Sequence, residues 1–300
     1  MSIVLITGAA TGIGNLTARA LTAAGHTVYA SMRHPQGKNA DRAQALLDTA
    51  STDGVDLHVV ELDVQSQDSA DAAVATVLDQ AGQLDVVIHN AGHLVVGYVE
   101  AFTAEDIAGL FDTNALGVHR LNRAVLPHMR KRGSGTLLYV GSTIPITTPP
   151  FLGPYVATKA AMDALALTTS YEVGQFGIET VIVMSGAFTQ GTEHFPDASS
   201  GHDQAVTAAY RRLDPLVAAN EQATASLFRP GVDPHPVSVA DEITRILALP
   251  RGSKPFRSVI DFTDSGVEDV NHVIEQARGS FVERMGFGQL LAVDLDVLGG

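Results

Sequence analysis

The sequence contains no cysteine, and its basic residues are few. The missing cysteines exclude disulfide bonds, thiolate nucleophiles and cysteine-ligated zinc or iron–sulfur sites. Only 19 Lys and Arg stand against 33 Asp and Glu, which gives a formal net charge of −14 at pH 7. Nucleic acids and anionic membrane surfaces are bound by clustered positive charge, so we expect neither as the main partner.

The sequence also lacks any uncharged apolar run of about 18 residues, the length that a membrane-spanning helix needs. The chain enters an apolar strand at Ile3–Ile6 without a basic leader segment. These absences predict a soluble, cytoplasmic protein that is not exported. The 300 residues are 45% hydrophobic, which is enough to bury a sizeable core in one large domain or two small ones.

Short apolar runs alternate with Ala- and Leu-rich segments of helical period from the first residues onward. The predicted strands are Ile3–Ile6, His26–Ala30, Leu57–Glu61, Val86–His89, Thr136–Val140, Thr180–Val183 and, nearer the C-terminus, Ser258–Phe262. The predicted helices include Gly14–Ala24, Asp68–Ala81, Ile107–Arg132 and Tyr155–Phe176. This alternation predicts an α/β fold of the Rossmann type, a doubly wound parallel sheet with helices on both faces.

The alternation stops after Gly186. Residues of about 188–236 are richer in Pro, Gly and His, with one helical stretch around Gln204–Ala219, and we expect them to form a lid over the substrate. A C-terminal extension over about 263–300 is expected to add a helix and an apolar tail. We therefore predict a single domain over residues 1–300.

The first strand runs into a glycine-rich turn, TGAATGIG at Thr7–Gly14, that opens the next helix. Glycines let the chain turn tightly and let a pyrophosphate approach the backbone, while the helix N-terminus supplies free N–H groups. The position directly after strand one favours dinucleotide binding. The expected contacts are Gly8, Thr11, Gly12, Ile13 and Gly14; the alternative is a tight turn that binds no ligand.

The second strand ends at Arg33 and carries no acid. A Rossmann site for NAD usually has a carboxylate about 20 residues beyond the glycines, whereas an Arg there suits the 2′-phosphate of NADP. No Asp or Glu occurs between Ala10 and Ala40. We therefore expect Arg33 to bind this phosphate and NADP(H) to be preferred over NAD(H); a solvated loop Arg is the alternative. Asp63, after the third strand, is placed either to accept from the adenine amino group or to cap the helix beginning near Gln67.

Two further polar features follow. Asn90, Ala91 and Gly92 come directly after the fourth predicted strand and give an amide and a close-approach turn beside the cofactor site. Asn114 lies in the middle of a predicted helix, where Asn is unfavourable. This cost indicates a specific hydrogen bond to backbone or water, unless the side chain is simply exposed.

The stretch Ser142–Lys159 carries the predicted chemistry. In a helix, Tyr155 and Lys159 share a face because they are four residues apart. A nearby cation favours the phenolate and lowers the pKa of a phenol from about 10, so Tyr155 becomes a plausible general acid and base. Ser142, after an apolar run, is placed to hold a substrate oxygen. The alternative is an ordinary surface Tyr and Lys on a helix.

These motifs, in this order, resemble the short-chain dehydrogenase/reductase family over about residues 3–190. The segments VYASMR, HNAGHLVVGYVEA and LPHMRKRGSGTLL resemble its hydroxysteroid dehydrogenase-like branch, near the 3-oxoacyl carrier-protein reductases. The resemblance implies an NAD(P)(H)-dependent oxidoreductase that acts on a ketone or secondary alcohol. It also implies a homodimer or homotetramer that pairs through the long helices.

The resemblance further implies a role for each motif residue. Tyr155 is the acid and base, Lys159 lowers its pKa and binds the nicotinamide ribose, Ser142 orients the carbonyl, and Asn114 supports a water relay. By the same resemblance, Gly8, Gly12 and Gly14 hold the pyrophosphate, Asp63 and Val64 contact the adenine, and Asn90 contacts the adenosine ribose region. Where the family usually has Pro-Gly after strand six, this sequence has Ser185-Gly186, which we expect to loosen the nicotinamide end. Gly186 still allows close approach, and Thr189 still reaches the carboxamide.

The substrate is expected to be lipophilic, such as a 3-oxoacyl thioester or a steroid-like ketone. Apolar side chains are predicted either to line the pocket or to pack the core: Leu94, Val95, Val96, Ile144, Phe151 and Phe188. A basic cluster offers a dock for an acyl carrier protein or simply complements the end of a helix dipole: Arg120, Arg123, His128, Arg130, Lys131 and Arg132. No carboxylate pattern accompanies the histidines, so no metal is expected.

Two rivals share this scaffold. A regulator that senses a nicotinamide nucleotide without turnover is expected to lack the Tyr or the Lys, and both are present here. An epimerase or dehydratase recycles its cofactor internally, and the glycine spacing and moderate length favour simple redox chemistry over it.

Overall fold

The structure, a computed structural model, describes residues 1–296. Its centre is a seven-stranded sheet in the order β3-β2-β1-β4-β5-β6-β7, in which all neighbouring strands are parallel. The strands are β1 Ile3–Ile6, β2 Thr27–Met32, β3 Leu57–Glu61, β4 Val86–His89, β5 Gly135–Ser142, β6 Ile178–Ser185 and β7 Arg257–Ile260. The predicted Rossmann-type fold is therefore confirmed.

Helices cover both faces of the sheet. The α-helices are α1 Gly12–Ala23, α2 Ala40–Asp53, α3 Gln67–Ala81, α4 Ala104–Phe111, α5 Gly117–Arg132, α6 Ile144–Thr147, α7 Gly153–Gly174, α8 Gln204–Ala209, α9 Asp214–Ala218, α10 Asn220–Ala225, α11 Val237–Leu247 and α12 Val267–Arg284. One core lies between the sheet and α3, α5 and α7, and a second lies between the sheet and α1, α2 and α11. Strands β1, β2 and β6 are buried along their whole length, as expected for strands covered on both faces.

The predicted strands differ from the observed ones by a few residues at their ends. Two predicted helices are broken. The predicted helix Ile107–Arg132 is interrupted by a π-helical turn at Asp112–Leu116, and the helical stretch predicted in the lid is divided into α8, a 3-10 turn and α9. Pro215 lies at the start of α9, where its missing N–H costs no helical hydrogen bond. The last four residues of the predicted C-terminal extension lie outside the described residues.

The strand order positions the site. Strands β2 and β3 extend the sheet on one side of β1, and the chain then crosses to β4 on the other side. Ligands of open parallel sheets bind at the carboxyl ends of the strands, at such a switch point. The residues after β1 and β4 meet there. Within residues 1–296, no helix combines the length and the apolar character needed to cross a membrane.

Candidate active site

The turn after β1 has no room for a side chain at Gly8 and Gly14. Gly8 and Gly12 have φ angles of +66° and +54°, a backbone region that glycine adopts readily. A Cβ on Gly14 would lie 2.5 Å from both Asn90 Nδ2 and the Gly8 carbonyl oxygen. The side chain of the N-cap residue Thr11 makes no capping hydrogen bond, so the first backbone N–H groups of α1 remain available to donate to an anion. This bare turn fits a pyrophosphate.

A network centred on Thr7 ties the turn to the end of β4. Thr7 Oγ1 accepts from the backbone N–H groups of Asn90 at 2.8 Å and Ala91 at 2.9 Å. Asn90 Nδ2 donates to the carbonyl oxygens of Thr7 at 2.9 Å and Gly8 at 3.1 Å. The side-chain amide predicted to face the adenosine ribose thus uses its N–H groups to hold the turn.

The adenosine end carries Arg33 on an exposed position after β2. Its backbone carbonyl accepts from Asn39 Nδ2 at 2.6 Å, and its guanidinium makes no salt bridge with any residue in the described part of the chain. A carboxylate that was not predicted from the sequence lies close to Arg33. Glu61, at the end of β3, accepts a hydrogen bond from the N–H of His34, the residue after Arg33, at 3.3 Å. The sequence signal was the position of Glu61 at the end of the predicted third strand, and in the structure Glu61 is the register partner of Met32, the residue before Arg33.

Asp63 and Val64 follow β3. Asp63 Oδ1 accepts from the Gln65 N–H at 3.1 Å, whereas the cap of α3 is Ser66, which accepts from the Ser69 N–H. Asp63 is therefore not the helix cap, which was the alternative to its adenine role. A Cβ on Gly117 would lie 2.8 Å from the side chain of Val64, so Val64 packs tightly against the start of α5.

Helix α7 presents Tyr155 and Lys159 at the carboxyl edge of the sheet. Both are buried, with 6% and 7% of their surface exposed, which removes the alternative of a surface pair. Lys159 Nζ lies 5.9 Å from the centroid of the Tyr155 ring and donates to the Val140 carbonyl oxygen at 3.2 Å. Burial lowers the pKa of the Lys159 ammonium to about 8.

The phenol behaves differently from the expectation. Burial raises the pKa of Tyr155 above its ordinary value, the direction opposite to that expected from Lys159. The reason is that desolvation of the phenolate outweighs the attraction of an ammonium 5.9 Å from the ring. Tyr155 Oη lies 3.2 Å from His194 Nε2 in the lid, a partner that the sequence argument did not find.

Ser142 and Asn114 flank this pair. Ser142 Oγ, at the end of β5, accepts from the Ile144 N–H at 3.2 Å, which leaves its own proton free for donation. Asn114 lies in the π-helical turn, a feature often found at functional sites. Its side chain accepts from the His93 N–H at 2.8 Å and donates to the His93 carbonyl at 2.9 Å and to Thr158 Oγ1 at 3.0 Å. Asn114 is thus buried and bonded, and the alternative of simple solvent exposure is wrong.

The segment after β6 is tied to the neighbouring strands by hydrogen bonds. Ser185 is buried, and its hydroxyl donates to the Gly141 carbonyl at 3.0 Å. The Gly186 N–H donates to the Ile260 carbonyl at 2.7 Å, and a Cβ on Gly186 would lie 2.6 Å from Asp261 Oδ1. The expected loosening of the nicotinamide end by Ser185 stays a prediction. Thr189 lies half-buried where the lid begins.

Tyr155 packs among buried apolar side chains. We call this group the apolar cluster; its other buried members are Leu94, Val95, Phe102, Leu110 and Leu152. The predicted pocket residues Val96 and Ile144 pack against it. Phe188 does not, because it belongs to the core between the sheet and α1, α2 and α11. Phe151 instead meets the Tyr98 ring edge to face, with centroids 6.0 Å apart.

The histidines and the basic cluster are partly explained by internal contacts. His89 is buried against Asn122 at 2.8 Å, and burial lowers its pKa to about 4. In the described residues, no group of three or more His, Asp or Glu is arranged to hold a metal. In the basic cluster, Arg120 pairs with Asp112, Arg132 pairs with Asp85, and His128 accepts from the Leu84 N–H.

Comparison with known proteins places these features in context. Residues 2–201 match the family model described as short chain dehydrogenase. The 3-ketodihydrosphingosine reductase of Bacteroides thetaiotaomicron is 30% identical over 260 residues, which are 86% of this chain and 87% of that protein. Human 17-beta-hydroxysteroid dehydrogenase type 1 is 34% identical over 190 residues, which are 62% of this chain and 56% of that enzyme. The crystal structure of a short-chain dehydrogenase from Streptomyces avermitilis superimposes with a TM-score of 0.73 and 27% identity, covering 96% of this chain and all of that one.

Proposed function

This chain belongs to the short-chain dehydrogenase family and is an oxidoreductase, and we propose that it reduces a lipophilic ketone with NADPH or oxidises the corresponding alcohol. The observation that carries the proposal is the burial of Tyr155 and Lys159 together, with Tyr155 inside the apolar cluster, at the edge of the sheet where the glycine turn also lies. A bound nicotinamide supplies or accepts the hydride. The protein has to bind this cofactor, orient the carbonyl and move one proton.

The cofactor contacts follow from the donors that the fold leaves free. The N-terminus of α1 with Gly8, Gly12 and Gly14 would bind the pyrophosphate. Arg33 would pair with the 2′-phosphate, because its guanidinium is exposed and has no carboxylate partner in residues 1–296. Asp63 and Val64 would border the adenine. We propose NADP(H) as the preferred cofactor on this ground.

The proton step belongs to Tyr155. In the reductive direction, negative charge develops on the carbonyl oxygen, and Tyr155 donates its hydroxyl proton to that oxygen. Ser142 keeps its own proton for the same oxygen, since its hydroxyl accepts from Ile144. Asn114 fixes the backbone of His93 and joins it to Thr158, the residue before Lys159 on α7, and so positions the proton-transfer groups.

The substrate class follows from the apolar cluster and the lid. A long-chain 3-ketone, a 3-oxoacyl thioester or a steroid ketone presents the apolar surface that Leu94, Phe102 and Leu152 would cover. Delivery on an acyl carrier protein depends on the basic residues of α5 that remain exposed, Arg123, Arg130 and Lys131, because Arg120 and Arg132 pair internally. Because two of the basic residues are engaged inside the protein, this surface is a weakened dock for an acidic carrier protein, and we favour a free lipophilic ketone as the substrate.

We also propose a homodimer or homotetramer. Leu116, at the end of the π-helical turn, and Leu165, on α7, are 46% and 42% exposed. Leu165 lies on α7 and Leu116 lies directly before α5, the helices through which this family commonly pairs, and their exposure supports an interface there. Light scattering measures this state directly.

The test is net consumption of NADPH and of NADH with a panel of a long-chain 3-ketone, a 3-oxoacyl thioester, a steroid ketone and a simple aryl ketone. The proposal predicts stoichiometric loss of NADPH with a lipophilic ketone. Cofactor binding without consumption would favour the sensing regulator. Conversion of substrate without net consumption would favour an epimerase or dehydratase.

A further inference from the structure

The lid places one side chain against the reacting atom of the proposed chemistry. His194 Nε2 lies 3.2 Å from Tyr155 Oη, and the two rings meet edge to face with centroids 5.8 Å apart. Tyr155 is buried, whereas His194 keeps exposed surface. His194 therefore connects a buried phenol with solvent.

The lid is held on both sides of His194. On one side, Thr192 lies over the glycine turn, with its Cβ 3.7 Å from the position that a Cβ on Gly12 would take. On the other side, Ser199 pairs with the segment after β4, accepting from the Val96 N–H at 2.9 Å and donating to the Leu94 carbonyl at 3.2 Å. The intervening Phe195 packs against the apolar cluster. The position of His194 thus follows from contacts of the lid with the scaffold.

The buried phenol needs a hydrogen-bond donor. When Tyr155 gives up its proton, it leaves a phenolate in a site where burial already raises the pKa of the phenol. A donor to the phenolate stabilises that charged form. Lys159 Nζ donates to Val140, and in residues 1–296 the hydrogen-bond partner of Tyr155 Oη is His194.

We infer that His194 is a catalytic residue, which donates a hydrogen bond from Nε2 to Tyr155 Oη and returns the proton that Tyr155 loses in the reduction. This inference rests on the proposed function. The Tyr155 O–H bond breaks as its proton moves to the substrate oxygen, and the hydride comes from the nicotinamide. The Nε2–H bond of His194 then breaks to reform the phenol, while Nδ1 takes up from bulk solvent the one proton that the overall reduction consumes. The imidazole stays neutral overall, and exchange with solvent restores its first tautomer.

The surroundings of His194 keep its imidazole neutral. Desolvation of the ring on the side of Tyr155, followed by the charges of Lys159 and His93, lowers the pKa of His194 to about 4, while the outer surface of the residue stays exposed. The titratable groups that act on it are Tyr155 and Lys159 on α7 and His93 after β4. A neutral imidazole that donates from Nε2 and accepts at Nδ1 is the form that the relay requires.

Kinetics of lid variants test the relay. We expect His194→Ala to lower kcat of the reductive reaction about a hundredfold with a small change in KM, and added imidazole to restore part of the rate. His194→Gln should stay slow, because an amide donates a hydrogen bond but does not pass a proton on. His202→Gln is the matched control: His202 lies in the same lid but faces Asp106, and we expect a change in kcat of no more than about twofold.

Imidazole nitrogen shifts in 15N-labelled, cofactor-free protein provide a readout independent of turnover. The inference predicts a His194 with a proton on Nε2 and a bare Nδ1. A bare Nε2 that accepts from Tyr155 would overturn it, and so would a His194→Ala variant with near wild-type kcat or one that imidazole does not rescue. A wild-type protein that turns over no carbonyl contradicts the proposed function instead, and the nitrogen shifts still decide the hydrogen bond.

Discussion

The ammonium nitrogen of Lys159 lies 3.2 Å from the carbonyl oxygen of Val140, inside the protein. This contact fixes Lys159 at the carboxyl end of β5, one helical turn beyond Tyr155. A charge in this position costs folding free energy, and burial accordingly lowers the pKa of Lys159 from 10.5 to about 8.

The first prediction concerns stability. Below the folded-state pKa, Lys159 is charged in both states, and folding carries a cost of about 3 kcal/mol from the pKa difference. As the pH rises from about 8 to 10.5, the folded protein loses this proton while the unfolded chain keeps it, so the free energy of unfolding rises. Lys159→Met removes this dependence. Urea unfolding measures the difference in free energy of unfolding between Lys159→Met and wild type. We expect the variant to become less stable relative to wild type by up to about 3 kcal/mol as the pH rises over that range. A difference that stays constant with pH contradicts the burial argument.

The second prediction concerns the phenol. Tyr155→Phe should lower kcat at least about a hundredfold, because the proton donor is lost, while NADPH affinity measured by fluorescence stays near wild type. The matched control is Tyr171→Phe on the same helix, whose hydroxyl accepts from Arg278 at the C-terminal helix instead. Near wild-type turnover by Tyr155→Phe is incompatible with the assignment.

Much of this site follows from local sequence rules. The glycine turn was predictable because glycine is the residue that tolerates a positive φ angle, as at Gly8, and a close approach of other atoms, as at Gly14. Tyr155 and Lys159 were predictable because four-residue spacing places two side chains on one helix face.

The remaining features depend on packing between distant segments. His194 sits in an irregular lid without periodicity, and its contact with Tyr155 spans 39 residues of sequence. The π-helical turn that buries Asn114 has no simple sequence signal. The sequence left Phe188 open between the pocket and the core, and only the packing of the segment after β6 against the sheet places it in the core.

The third prediction concerns cofactor choice. Arg33→Glu should weaken binding of NADPH far more than that of NADH, because a carboxylate would repel the 2′-phosphate that distinguishes them. Arg42→Glu on α2 is the control, since this exposed side chain bonds Asn39 nearby. Dissociation constants of both cofactors give the answer, and equal losses for the two would show that Arg33 does not read the phosphate.

The fourth prediction concerns the turn. Gly14→Ala introduces a Cβ 2.5 Å from Asn90 Nδ2 and from the Gly8 carbonyl, so it should reduce both thermal stability and affinity for either cofactor. Gly109→Ala within α4 is the control, because a Cβ there meets nothing within 4 Å. It should instead stabilise the protein by about 0.5–1 kcal/mol. Unchanged cofactor affinity in Gly14→Ala would argue against the turn as the pyrophosphate site.

The most direct test of the central claim follows the hydride itself. The protein is incubated with a lipophilic ketone and NADPH that carries deuterium at the transferable position of nicotinamide C4, and the alcohol is analysed by mass spectrometry. We predict one deuterium on the carbinol carbon with wild-type protein and no labelled alcohol above background with Tyr155→Phe. An alcohol without deuterium, or labelled alcohol at equal rates from both proteins, would contradict hydride transfer assisted by Tyr155.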